Sequence, residues 1–91
     1  MMKVRPGGRI TLRLRVEPEA PTGVSGYLFN AAQGDLIADL GERQLIEVDG
    51  DDLECIFELP DEINAQSVCL VVEGRWAKAI AGAEINFQLI R

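Results

Sequence analysis

Histidine is absent from this chain. That removes the commonest general base and the commonest metal ligand together. Cysteine is nearly absent: only Cys55 and Cys69 occur, and no C-x-x-C pair. A secreted disulfide scaffold would use four or more, so the two read as reduced thiols. The only serines are Ser25 and Ser67, and neither has a histidine to activate it. Gly7-Gly8 is not followed by the G-K-[ST] of a phosphate loop. No apolar run approaches the roughly 18–20 residues of a membrane-spanning helix. The start, Met1-Met2-Lys3-Val4-Arg5-Pro6, has no apolar segment of the signal-peptide kind. These absences lead to the expectation of a non-enzymatic protein without cofactor, made in the cytoplasm as a small complete reading frame or the start of one.

What is present suits a folded domain. The chain has 91 residues, 47% hydrophobic and 26% charged, enough for one core and wrong for a disordered segment. Net charge is −6 and unevenly placed. Residues 1–16 hold Lys3, Arg5, Arg9, Arg13 and Arg15 and no acid; the rest holds fifteen acids against four bases. An acidic protein repels nucleic acid and anionic membranes at long range. The basic segment contains no aromatic residue for base stacking. Neither nucleic acid nor membrane is therefore expected as a partner. The arginines are read either as a local docking surface or as neighbours of an acidic strand.

Period-2 alternation recurs along the chain and signals half-buried strands. In 9–16, Ile10, Leu12, Leu14 and Val16 share one face, while Thr11, Arg13 and Arg15 share the other. Further strands are expected at 24–30, with Tyr27 and Phe29 opposite Leu28, and at 36–40, with a reversal at Gly41-Glu42-Arg43. Segments 44–48 and 53–59 flank Asp49-Gly50-Asp51-Asp52, and Asp-Gly favours a tight hairpin. In the second arm Leu53, Cys55, Phe57 and Leu59 face in. Segment 67–74 is apolar on both faces, as a central strand is. Segment 83–90 alternates again, and 75–82 reads as a strand or one helical turn. Six or seven strands with frequent turns define an all-β, two-sheet antiparallel β-sandwich, immunoglobulin-like or jelly-roll, in one domain over 1–91.

Two groups of residues are candidates for function. Glu47, Asp49, Asp51, Asp52 and Glu54 crowd one hairpin. A two-residue loop sets Glu47 opposite Asp52, and a four-residue loop sets it opposite Glu54. Either pairing is destabilising unless a cation such as calcium, an arginine (Arg13 or Arg15) or full hydration compensates. EF-hand spacing fails, since Leu53 and Glu54 take its fifth and sixth places. The second group is Trp76 with Arg75 and Lys78, and Tyr27, the flat amphipathic rings suited to a sugar or protein partner. If 53–59 and 67–74 are adjacent arms, pairing Leu59 with Ser67 sets Cys55 opposite Val71, which argues against a Cys55–Cys69 bond.

The layout, with a first strand over 8–16, the hairpin at 49–52, Leu59-Pro60-Asp61 before a loop and a last strand over 83–90, resembles the small immunoglobulin-like proteins of bacteriophage virions. That resemblance implies a structural or assembly role, present in many copies, and a virion location. The layout also looks like the carbohydrate-binding sandwich of polysaccharide exporters. The expectation is an assembly protein acting through protein contacts, a homo-oligomer or part of a larger array. Head-to-tail or ring contacts would follow from Arg13 and Arg15 meeting acids of another copy. A carbohydrate- or protein-binding module centred on Trp76 is the alternative.

Overall fold

Eight strands make up the regular structure of the computed structural model, which describes residues 2–15, 21–50, 52–76 and 80–91. They are β1 (Met2–Val4), β2 (Arg9–Arg15), β3 (Gly23–Asn30), β4 (Leu36–Arg43), β5 (Ile46–Asp49), β6 (Asp52–Glu58), β7 (Ser67–Arg75) and β8 (Ile80–Leu89). One sheet has the order β1-β8-β7-β3-β4, the other β2-β6-β5. Every pairing is antiparallel except β1 with β8. The chain crosses between sheets after β1, β2, β4 and β6. This is the strand order of an immunoglobulin-like sandwich rather than a jelly roll. No helix among the described residues is long and apolar enough to cross a membrane.

The core forms where the alternating strands turn their apolar phase inward. From the smaller sheet come Ile10, Cys55, Phe57 and Leu59; from the larger, Val24, Leu28, Leu40, Val68, Leu70, Val72 and Phe87. Phe57 and Leu28 are fully enclosed. A Cβ on Gly26 would stand 2.5 Å from Phe57 Cε1. Only a residue without a side chain lets the ring come so close to β3. The strand apolar on both faces, β7, is central in its sheet, between β8 and β3.

Three expectations need correction. The strand count rises to eight because β1 forms. Three residues are too short to show alternation, and β1 is held from outside, by its register on β8 and by Ile90 N–H donating to Val4 C=O at 2.9 Å. Between β1 and β2, Gly8 N–H donates to Arg5 C=O at 3.0 Å, and Gly7 has φ of 74°. Pro6-Gly7 thus forms a turn whose third residue needs positive φ, and it carries the chain from one sheet to the other.

No reversal occurs at 41–43, since β4 continues to Arg43. The local kink is absorbed as a bulge between Gly26 and Tyr27 of the β3 pairing, with Asp39 Oδ1 accepting from Gly41 N–H at 2.9 Å. The arms 53–59 and 67–74 are not neighbours, for β6 and β7 lie in different sheets. Cys55 therefore pairs with Leu12 and not Val71. The loop between them buries Ile63 and Ala65, and its carbonyls accept from Arg91 Nη2 at 2.8 and 2.5 Å. Both cysteines are free thiols. The stretch 75–82 is strand at Arg75 and from Ile80 onward; residues 77–79 lie outside the described residues, as do Val16 and Asp51.

Removing the enclosed ring by Phe57→Ala is expected to cost about 3–5 kcal/mol. Gly26→Ala, which forces a methyl into that ring, is expected to cost about 1–3 kcal/mol. Urea unfolding of both variants measures this, and the substitution of one hydrogen by a methyl is the more discriminating.

Candidate functional site

The basic strand lies against an acidic one. In the β2–β6 register Arg9 stands opposite Glu58 and Arg13 opposite Glu54. Arg13 Nη2 and Nε donate to Glu54 Oε2 at 2.9 and 3.2 Å, and Arg9 Nη2 is 3.4 Å from Glu58 Oε1. Such pairs on a wet surface are worth about 0–1 kcal/mol each. Arg15 ends β2 opposite Asp52 in the backbone register.

The hairpin keeps Glu47 and Glu54 apart, by neither register read from the sequence, while it sets Asp49 opposite Asp52. That pairing lies one residue on from the one that a loop at Asp49-Gly50 would give. Regular pairing from there would set Glu47 against Glu54. Instead the register shifts between Glu47 and Asp49, so Glu47 stands opposite Leu53 and Glu54 opposite Ile46. The extra residue, Val48, moves one carboxylate away from the other, and Arg13 takes the one that remains. Among the described residues no group of three or more Asp, Glu or Cys side chains is placed to hold a metal ion. Asp51, one of the five calcium candidates, lies outside them.

The second group is dispersed. Trp76 is half-buried, and the outer ring of its indole covers Gly74, with Cη2 2.9 Å from where a Cβ would stand. Gly74 is in the inward phase of β7, with Val72 and Leu70. Tyr27 is in the outward phase of β3, between Asp39 of β4 and Val71 of β7. The two rings therefore lie on opposite faces of one sheet. Arg75 reaches across β3 to Glu42, Nη2 to Oε2 at 2.6 Å. Lys78 lies outside the described residues.

Two surfaces emerge that the sequence reading did not single out. The first is the outward face of the smaller sheet. Ile46 is 60% exposed, Val48 43% and Ile56 38%. Ile46 and Ile56 are diagonal neighbours across the β5–β6 ladder. β5 is an edge strand, and among the described residues nothing pairs with its outer side. The available signal was Ile56, an apolar residue in the polar phase of Glu54 and Glu58. For Ile46 and Val48 the bulge hid it, by resetting which residues point outward.

The second surface is a shallow depression of about 320 Å³ on the outward face of the larger sheet. Phe29, Asn30, Cys69, Val71, Glu84 and Asn86 line it, with the β3–β4 turn as a wall. That turn is set by Asn30, whose Oδ1 accepts from the N–H of Ala32 and Gln33 at 3.0 and 3.2 Å. Cys69 lies in the floor. Its thiol is pushed above the usual thiol range by desolvation and by the nearby Glu84 carboxylate, against a smaller opposing effect from a hydrogen bond with the Ile85 backbone. A thiol so placed is kept from its nucleophilic thiolate form. Burial pushes the Cys55 thiol up as well.

Fold and surface thus define a small immunoglobulin-like sandwich whose exposed edges and sheet faces carry uncovered apolar side chains. Set against known protein families, characterised proteins and solved structures, the chain matches none.

Native-state alkylation tests the thiol assignment. Cys69 is expected to react slowly at neutral pH and faster as pH rises past the usual thiol range, with Cys55 slower still. Glu84→Gln should lower the Cys69 pKa and speed its reaction at neutral pH. The same shifts give a stability sign. Both thiols hold their protons more tightly folded than unfolded, so this contribution is intact at neutral pH and declines as pH rises through the unfolded thiol range. Mass spectrometry after timed quenching reads the first effect, and melting temperature against pH the second.

Proposed function

We propose that this protein is a non-enzymatic assembly component that works by docking its smaller sheet onto other protein. The observation that carries the reading is the exposed row of Ile46, Val48 and Ile56 at and beside the open edge strand β5. Water-exposed branched side chains grouped at an edge mark a surface that is covered in use. An unpaired strand also offers backbone N–H and C=O groups to a partner. The layout's likeness to small phage virion proteins supports a setting in which many copies assemble, with the virion as the location.

The depression beside Phe29 favours a second reading, as a carbohydrate-binding face. An aromatic ring next to Asn30, Glu84 and Asn86 combines a stacking surface with hydrogen-bonding groups. In that reading Phe29, and not Trp76, supplies the platform. Phe29→Ala should then abolish any hit in a glycan screen, while Trp76→Ala should leave it.

The first reading is tested by sedimentation of the purified chain over a range of concentrations. Self-association or co-sedimentation with a partner is expected. Ile46→Glu combined with Ile56→Glu should weaken it while leaving the melting temperature within a few degrees, because both side chains already lie in water. Retained association in that variant removes the smaller sheet from the role.

A further inference from the structure

We propose that copies of this chain join head to tail, with β5 of one copy adding as a parallel strand to the free edge of β2 in the next. The inference rests on the assembly reading above and names the two surfaces that meet. Both ends of the smaller sheet are open, for among the described residues β2 and β5 each have a neighbour on one side only. The two edges carry opposite charge. β2 reads Arg-Ile-Thr-Leu-Arg-Leu-Arg, with three bases and no acid, and β5 reads Ile-Glu-Val-Asp, with two acids and no base.

Charge decides which edges can meet. A two-fold contact through β5 would bring Glu47 and Asp49 against their own copies, and one through β2 would bring arginines together. Like charges across a ladder are destabilising. The mixed contact sets acid beside base on one face, for Asp49, opposite Asp52, holds the same register phase as Arg9 and Arg13, opposite Glu58 and Glu54. Ion pairing within the chain does not exhaust the arginines, because each guanidinium has five N–H donors and the Arg9 side chain is 69% exposed.

Strand direction allows the contact to repeat. β2 and β5 are each antiparallel to β6, so they run parallel to one another. A neighbour's β5 laid on β2 in that sense extends the sheet and leaves its own β2 free for the next copy. A heterologous contact of this kind closes into a ring or grows into a filament. The added strand would also cover an apolar opening of about 240 Å³ between the sheets at the β2 edge. Met2, Ile10, Leu12, Ile85 and Phe87 line that opening, and Met2 is 57% exposed.

A charge exchange tests the contact. One variant carries Asp49→Arg. The other carries Arg9→Glu with Glu58→Arg, so that the pair inside the chain is kept while the edge changes sign. Circular dichroism and melting confirm that each folds. The wild type is expected to sediment beyond a dimer and to dissociate as salt is added. Each variant alone should assemble more than about tenfold more weakly. An equal mixture of the two should recover assembly, since every junction in an alternating array again joins acid to base. A wild type that stops at a discrete dimer, or folded variants whose mixture fails to recover, overturns the head-to-tail contact while leaving the assembly role standing. A chain that sediments as a monomer under all conditions and captures no partner overturns both.

Discussion

The Phe57 ring lies where β3 has no side chain, against Gly26, and this contact fixes how the two sheets sit on each other. It comes from the middle strand of the smaller sheet and enters near the centre of the larger one. Leu28, Val68, Leu70 and Cys55 close around it as the other fully enclosed side chains. A ring of this size cannot slide by one strand position, because side chains on either side of Gly26 would block it. Gly26 also marks the start of the bulge against Gly41, where β4 departs from regular pairing. The core contact and the irregular edge are therefore parts of one local arrangement.

A sandwich locked in this way divides its strands five and three. The smaller sheet is left narrow, and both its outer strands are edges. Edge strands are usually protected by shortness, bulges or charge. β5 has all three, with four residues, a register shift and Glu47 with Asp49. It nevertheless exposes Ile46 and Val48. That combination disfavours indiscriminate pairing, and it is the feature on which the proposed docking role rests. The bulge has a second effect, for it separates Glu47 from Glu54 and leaves Glu54 to Arg13.

Much of the sandwich was legible in the alternation. Ile10 and Leu12 against Thr11 and Arg13, and Cys55, Phe57 and Leu59 against Glu54 and Glu58, face as their phase requires, because a strand shows its two faces in turn. The turn at 31–35 and the central place of β7 were equally readable from local composition. β1 was not, since three residues carry no periodicity and the strand exists only through β8. Nor was the continuation of β4, because a glycine that ends one strand can bend another. The candidate site was less legible than the fold. Trp76 and Tyr27 are adjacent as a chemical type but occupy opposite faces, and the exposed isoleucines are ordinary residues until their surroundings are known.

The order of side chains along the backbone determined which segments form strands and which of their faces turn from water, because both depend on residues one or two positions apart. Tertiary structure alone decided which strands share a sheet, where a bulge resets the outward face, and which edges remain open. Those outcomes depend on contacts between residues far apart in the chain, above all the fit of one ring over one bare backbone position, and no local pattern encodes such a meeting.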